Sequence, residues 1–120
     1  MDILLDTNML LLPASLHIDV YDQLRGHTIF TLDACTAELE KLAQRKGKEG
    51  KNAVLAQNIL VAHKLLIEHT EEHAADTAIV AFATKHRCAV GTNDKRLTKA
   101  LKEQGLPVFW VKQKKYIVEI

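Results

Sequence analysis

Apolar positions along the chain fall into short groups that alternate between continuous, strand-like runs and a helical spacing of three to four residues. Residues 2 to 6, with Ile3-Leu4-Leu5 at their centre, predict a first short strand. Ser15 to Leu24 predicts a helix closed by Gly26, and Thr28 to Leu32, rich in β-branched and aromatic side chains, predicts a second strand. Asp33 then stands where an N-cap would open a helix carrying Cys35, Leu39 and Leu42 on one face. The tract Arg45 to Lys51 sets two glycines among charges and reads as a loop. A long helix follows, with Leu55, Ile59, Ala62 and Leu66 at helical spacing, and Ala74 to Thr84 predicts another that is almost wholly apolar. Cys88 to Gly91 suits a buried strand, and a helix from about Asp94 to Gly105 turns Leu97 and Leu101 inward. Pro107 to Val111 and Tyr116 to Ile120 predict two more strands. Strands alternating with helices specify an α/β fold, a central, mostly parallel twisted sheet with helices on both faces, in one domain spanning residues 1–120.

Composition removes several alternatives. At 120 residues, with 48% hydrophobic and 26% charged, folding buries roughly two thirds of the exposed surface, so a core forms without staples or metals. Disulfide scaffolds and disordered tails are thereby excluded. The only two cysteines, Cys35 and Cys88, lie far apart outside any C-x-x-C arrangement, which suits a reducing compartment and argues against a zinc ribbon. The start has no basic segment ahead of an apolar one, and no apolar run approaches the ~18 residues of a membrane helix. A cytoplasmic protein without membrane association is expected.

The net charge of +1 conceals an asymmetry. Residues 1 to 40 carry seven acids against Arg25 alone, whereas residues 41 to 120 carry 15 bases against 8 acids. Fourteen of the sixteen bases fall within Lys41 to Lys51, Lys85 to Lys102 and Lys112 to Lys115. Solvated helix faces account for any one stretch; the three together point toward a polyanionic partner such as nucleic acid.

In a sheet of this class, ligands bind beyond the carboxyl ends of the strands. Asp6 follows the first strand, Asp94 follows the Cys88 to Gly91 strand, and Asp76 is the one charged residue at the start of an apolar helix. Glu38 flanks the apolar face of the helix after the second strand, while Glu40 lies about 200° from it around the axis. Each aspartate precedes a helix and has a capping role open to it, and Glu38 has Lys41 one turn away as a pairing partner. Together, four acids at one sheet edge repel one another and lose hydration, which a divalent cation relieves. Oxygen-only ligands select Mg²⁺ or Mn²⁺, and such ions suit phosphodiester hydrolysis.

The sequence resembles the PIN domain family. The resemblance is carried by Asp6-Thr7-Asn8 after a short apolar strand, Ala37-Glu38-Leu39, Ala75-Asp76-Thr77-Ala78-Ile79 and Thr92-Asn93-Asp94-Lys95-Arg96-Leu97, in that order. It implies a metal-dependent nuclease of single-stranded RNA, with Asp6, Glu38, Asp76 and Asp94 as its metal-binding and catalytic set and Asn8 and Thr92 as polar support. Lys41, Arg45, Lys46, Lys95 and Arg96, from the flanking basic stretches, would take backbone phosphates. The ending Pro107 to Lys114 looks more like archaeal relatives of rRNA-processing PIN nucleases than like VapC toxins. A homodimer, and an antitoxin or ribosome-assembly partner, are the associations the resemblance implies.

Other motifs lead nowhere comparable. His69-Thr70-Glu71-Glu72-His73 matches the H-x-x-E-H pattern of zinc peptidases, but it falls at an expected helix break and reads as a solvated loop. Phe109, Trp110 and Tyr116 read as core or interface residues. No glycine-rich phosphate loop or G-x-S-x-G elbow occurs. Two function classes result: a metal-dependent endoribonuclease acting in rRNA processing or as a toxin, and a noncatalytic RNA-binding assembly module.

Overall fold

A computed structural model describes residues 1–120. The chain runs β1 (Asp2–Leu5), α1 (Thr7–Ser15), α2 (Val20–Gln23), β2 (Thr28–Leu32), α3 (Asp33–Ala43) and α4 (Lys48–Ala62). It continues through β3 (Leu66–Glu68), α5 (Ala75–His86), β4 (Ala89–Gly91), α6 (Lys95–Glu103), β5 (Val108–Lys112) and β6 (Tyr116–Glu119). The six strands form one sheet in the order β3-β2-β1-β4-β5-β6, parallel except for β6, which pairs antiparallel with β5. Ile3, Leu4 and Leu5 are all fully buried, because β1 is central and covered on both faces. From β1 the strand order runs outward in both directions, which places the switch point between β1 and β4.

The predicted α/β class and the positions of β1, β2, β4, β5 and β6 match the structure. Four local expectations do not. Instead of one helix over Ser15 to Leu24, α1 ends at Ser15 and α2 restarts after a turn with His17 at φ 55°. Pro13 has no N–H for the Met9 carbonyl, so α1 closes soon after it, and the Asp19 side chain caps α2 by accepting the Asp22 N–H.

Arg45 to Lys51 is only partly a loop, since α4 begins at Lys48. Gly47, at φ 81°, makes the turn, and Gly50 sits where an added β-carbon would lie 1.8 Å from the Arg45 carbonyl oxygen. The glycines therefore permit a tight α3–α4 connection rather than breaking a helix. Leu66, expected on that helix, opens β3 instead: the left-handed Lys64 (φ 53°) ends the helical path, and Leu66 and Ile67 stay exposed on an edge strand. Asp33 is the first residue of α3 and not its cap; its carboxylate accepts the Thr70 N–H and meets His69 Nδ1 at 2.6 Å.

Residues 69 to 74 form the expected exposed loop, and His69 pairs with Asp33 and Glu71. Cys35 and Cys88 are buried and free. No helix is long and apolar enough to cross a membrane.

Candidate active site

The two strands at the switch point are joined at their carboxyl ends. The Asp6 N–H donates to the Gly91 carbonyl at 3.1 Å, and on the other side of β4 the Thr92 N–H donates to the Phe109 carbonyl of β5 at 2.9 Å. Asp6 and the segment Thr92-Asn93-Asp94 therefore emerge side by side. Gly91 suits this spot, since a β-carbon there would press on Leu5 Cδ2 at 3.0 Å and Met9 Cε at 3.3 Å.

All four sequence-predicted acids line one cleft of about 270 Å³, together with Thr7, Asn8, Ala75, Ile79 and Asn93. They come from four separate segments: Asp6 after β1, Glu38 on α3, Asp76 in the first turn of α5, and Asp94 after β4. Asp6 caps α1 by accepting the Met9 N–H at 2.8 Å, and Asp94 caps α6 by accepting the Leu97 N–H at 2.9 Å. Asp76 caps nothing; the cap position of α5 is Ala74. Glu38 makes no ion pair with Lys41, and Glu40 is turned elsewhere, bonded to Gln44 and Gln57.

Electrostatics ties the acids together. Burial pushes the Asp6 carboxyl up to about 6, against the stabilising Thr92 hydroxyl and Met9 N–H, and the charges of Asp76 and Asp94 push it further. Asp76 is also raised, first by partial burial and then by repulsion from Asp94 and Glu38, while Arg96 pulls it back. Thr92 is fully buried; its hydroxyl oxygen accepts the Asp94 N–H at 3.0 Å, which links two of the acids through one side chain.

No three carboxyl, imidazole or thiol groups stand at coordinating distance from a common point in this arrangement. The donor chemistry nevertheless fits a hard divalent cation: the set is all oxygen, and its charges raise one another's proton affinity. Exposed Glu38 and Asp76, which hold no cap, have rotamer freedom to close around an ion, while Asp6 and Asp94 are each held by a capping bond.

The support residues divide. Asn8 is exposed at the cleft wall, and Thr92 lies beneath it. Among the basic residues, Arg96 lines a groove between α5 and α6 that shares Asp76 and Asp94 with the cleft, and Lys95 is exposed beside Asp94. Lys41, Arg45 and Lys46 lie at the far end of α3 and beyond it, outside the cleft wall, with Arg45 paired to Glu49 at 2.6 Å. The sequence reading passed over Thr7, whose hydroxyl donates to the Cys35 carbonyl at 3.4 Å, and Asn93, whose amide bonds twice to Val111. Both stand next to acids in the sequence, Thr7 after Asp6 and Asn93 before Asp94, and that adjacency is the signal the sequence offers.

Comparison with known proteins agrees with this fold. A family model described as a PIN like domain matches residues 3–114. Ribonuclease VapC9 of Archaeoglobus fulgidus is 35% identical over 119 residues, covering 93% of this chain and 84% of that protein. Ribonuclease VapC4 of Methanocaldococcus jannaschii is 37% identical over 92 residues, covering 73% and 69%. Among solved structures, a domain of a functionally unknown Methanocaldococcus jannaschii protein superimposes with a TM-score of 0.70 at 18% identity, covering 99% of this chain and 96% of that one. VapBC2 from Rickettsia felis, solved with a DNA fragment from its promoter, gives a TM-score of 0.70 at 18% identity over 93% of this chain and 100% of the matched one. A family match over nearly the whole length, with two relatives above 30% identity, establishes that this chain belongs to the PIN-like domain family.

Proposed function

We propose that this protein is a toxin-type endoribonuclease that cleaves single-stranded RNA, with Mg²⁺ or Mn²⁺ held by Asp6, Glu38, Asp76 and Asp94. One observation carries the reading: four acids from four distant segments line a single cleft at the switch point of the sheet. When bound, the cation would lower the pKa of a water molecule and stabilise the leaving oxygen. The chain's own residues do the rest. Asp6, held by the Met9 N–H and with its charged form favoured by the Thr92 hydroxyl, offers a fixed oxygen, and Thr92 holds the backbone of Asp94. Arg96 and Lys95, beside the acids, supply positive charge for a backbone phosphate.

The names of both curated relatives favour a toxin paired with an antitoxin over a role in rRNA processing. An antitoxin partner is therefore part of this reading.

The test is incubation with structured and unstructured RNAs in Mn²⁺ and in EDTA, with Asp6→Asn and Asp94→Asn as controls. Asparagine keeps both helix caps, so loss of cleavage in these variants would not reflect lost caps. Cleavage in Mn²⁺ only, abolished by either substitution, supports the reading. Cleavage that survives both substitutions and EDTA would falsify it.

A further inference from the structure

β5 leaves the sheet at the same edge as the acidic cleft, and the chain returns to β6 through Gln113–Lys115. Gln113 and Lys114 both have left-handed backbones, at φ 56° and 55°, and the Lys115 N–H closes the turn on the Lys112 carbonyl at 3.1 Å. Consecutive left-handed positions in a hairpin loop ordinarily hold asparagine or glycine, because the β-carbon there crowds a carbonyl oxygen, a clash that glycine lacks and that asparagine offsets by local hydrogen bonding. Here they hold glutamine and lysine, so the loop keeps a strained conformation.

Two side-chain amides clamp that loop. On the cleft side, Asn93 Nδ2 donates to the Val111 carbonyl at 3.2 Å, and its Oδ1 accepts the Val111 N–H at 2.8 Å. On the other side, Gln23 Nε2 donates to the Lys115 carbonyl and its Oε1 accepts the Ile117 N–H, each at 2.7 Å. Lys112, Lys114 and Lys115 are all exposed, and none forms an ion pair. Three unpaired ammonium groups thus stand on a rigid loop, tied through Asn93 to a wall of the acidic cleft.

We propose that Lys112, Lys114 and Lys115 form a phosphate-binding arm that grips the backbone of the RNA strand entering the cleft. The arm offsets the repulsion that four carboxylates exert on a polyanion, and its fixed backbone sets where the strand lies. The assignment rests on the nuclease reading above.

The test measures binding of a fluorescent single-stranded RNA by anisotropy across a series of KCl concentrations, in an Asp6→Asn background that leaves the RNA intact. Lys112→Gln/Lys114→Gln/Lys115→Gln is compared with Lys64→Gln/Lys85→Gln/Lys99→Gln, an equal charge change elsewhere. Each lost phosphate contact lowers the slope of log affinity against log salt by about 0.7, so the arm variant loses about 2 and, from equal affinity at about 1 M, binds roughly a hundredfold more weakly at 100 mM salt. The other triple retains most of the slope. A second variant, Gln113→Asn/Lys114→Gly, relaxes the turn: it melts higher than its parent yet loses about 0.7 of slope, and it decides the matter should the triple misfold.

Equal weakening by both triples, or an arm variant that binds like its parent, overturns the arm while RNA cleavage by the unmodified protein keeps the nuclease reading standing. If the unmodified protein neither binds nor cuts RNA, both readings fall.

Discussion

Asp6 concentrates the conflict between folding and function in one side chain. Its carboxyl is buried and its pKa lies near 6, above the ordinary 3.8, so the folded chain holds that proton more tightly than the unfolded chain. The metal-free protein therefore loses stability from this group as the pH rises from about 4 to 6 and carries the full penalty above that. The shift corresponds to about 3 kcal/mol as an upper figure. Asp6→Asn keeps the cap and removes the charge, so urea unfolding in EDTA should show it more stable than the parent at pH 7.5 and close to equal below pH 4. Thr92→Val removes a buried hydroxyl that serves both Asp6 and Asp94. It should cost about 1 to 3 kcal/mol in the same assay and weaken Mn²⁺ binding by about 10- to 100-fold. At this scale the sequence was informative where a residue's chemistry is local, as with Asp6 and Asp94 at strand ends. It was silent where the partner is remote: nothing near Asp33 signals that its carboxylate is taken by His69 and Thr70.

Among the elements, the best-foreseen were the short apolar strands and the apolar helix α5. The errors gathered where backbone geometry overrides composition. Glycines among charges read as a loop, yet Gly50 is a helical residue whose missing β-carbon lets α4 start against the Arg45 carbonyl. β3 has three residues, two of them exposed apolar side chains, and so lacks a period by which to distinguish it from the preceding helix. α1 was hidden because Leu10-Leu11-Leu12-Pro13 shows neither helical amphipathicity nor a clean strand pattern. Gly50→Ala separates the two views of its segment. Intrinsic propensity alone favours alanine by about 1 kcal/mol, but a carbon 1.8 Å from a carbonyl oxygen forces the α3–α4 turn to move. A lowered melting temperature, by several degrees, is the expected result in differential scanning calorimetry.

For the whole molecule, the sequence carried the class of fold and the edge at which chemistry would gather, because both follow from the alternation of strands and helices. It left open how the basic residues distribute in space. The Lys41 to Lys46 stretch lies beyond the cleft wall, whereas Arg96 adjoins the acids and the β5–β6 lysines share their edge. This arrangement sets negative charge in a depression with positive charge around it, and a divalent cation binding there should stabilise the entire fold by mass action. Mn²⁺ should raise the melting temperature of the parent and leave Asp76→Asn nearly unmoved; since Asp76 caps no helix, that variant should be at least as stable as the parent in EDTA.

The proposed chemistry requires Asp6, Glu38, Asp76 and Asp94 to act as one cation-binding unit. Calorimetric titration of Mn²⁺ into the parent and into the four single Asp→Asn or Glu→Gln variants tests it most directly. One or two ions should bind the parent, with every variant weakened at least tenfold. Binding that is absent from the parent, or retained when any two of the four are replaced singly, would contradict it.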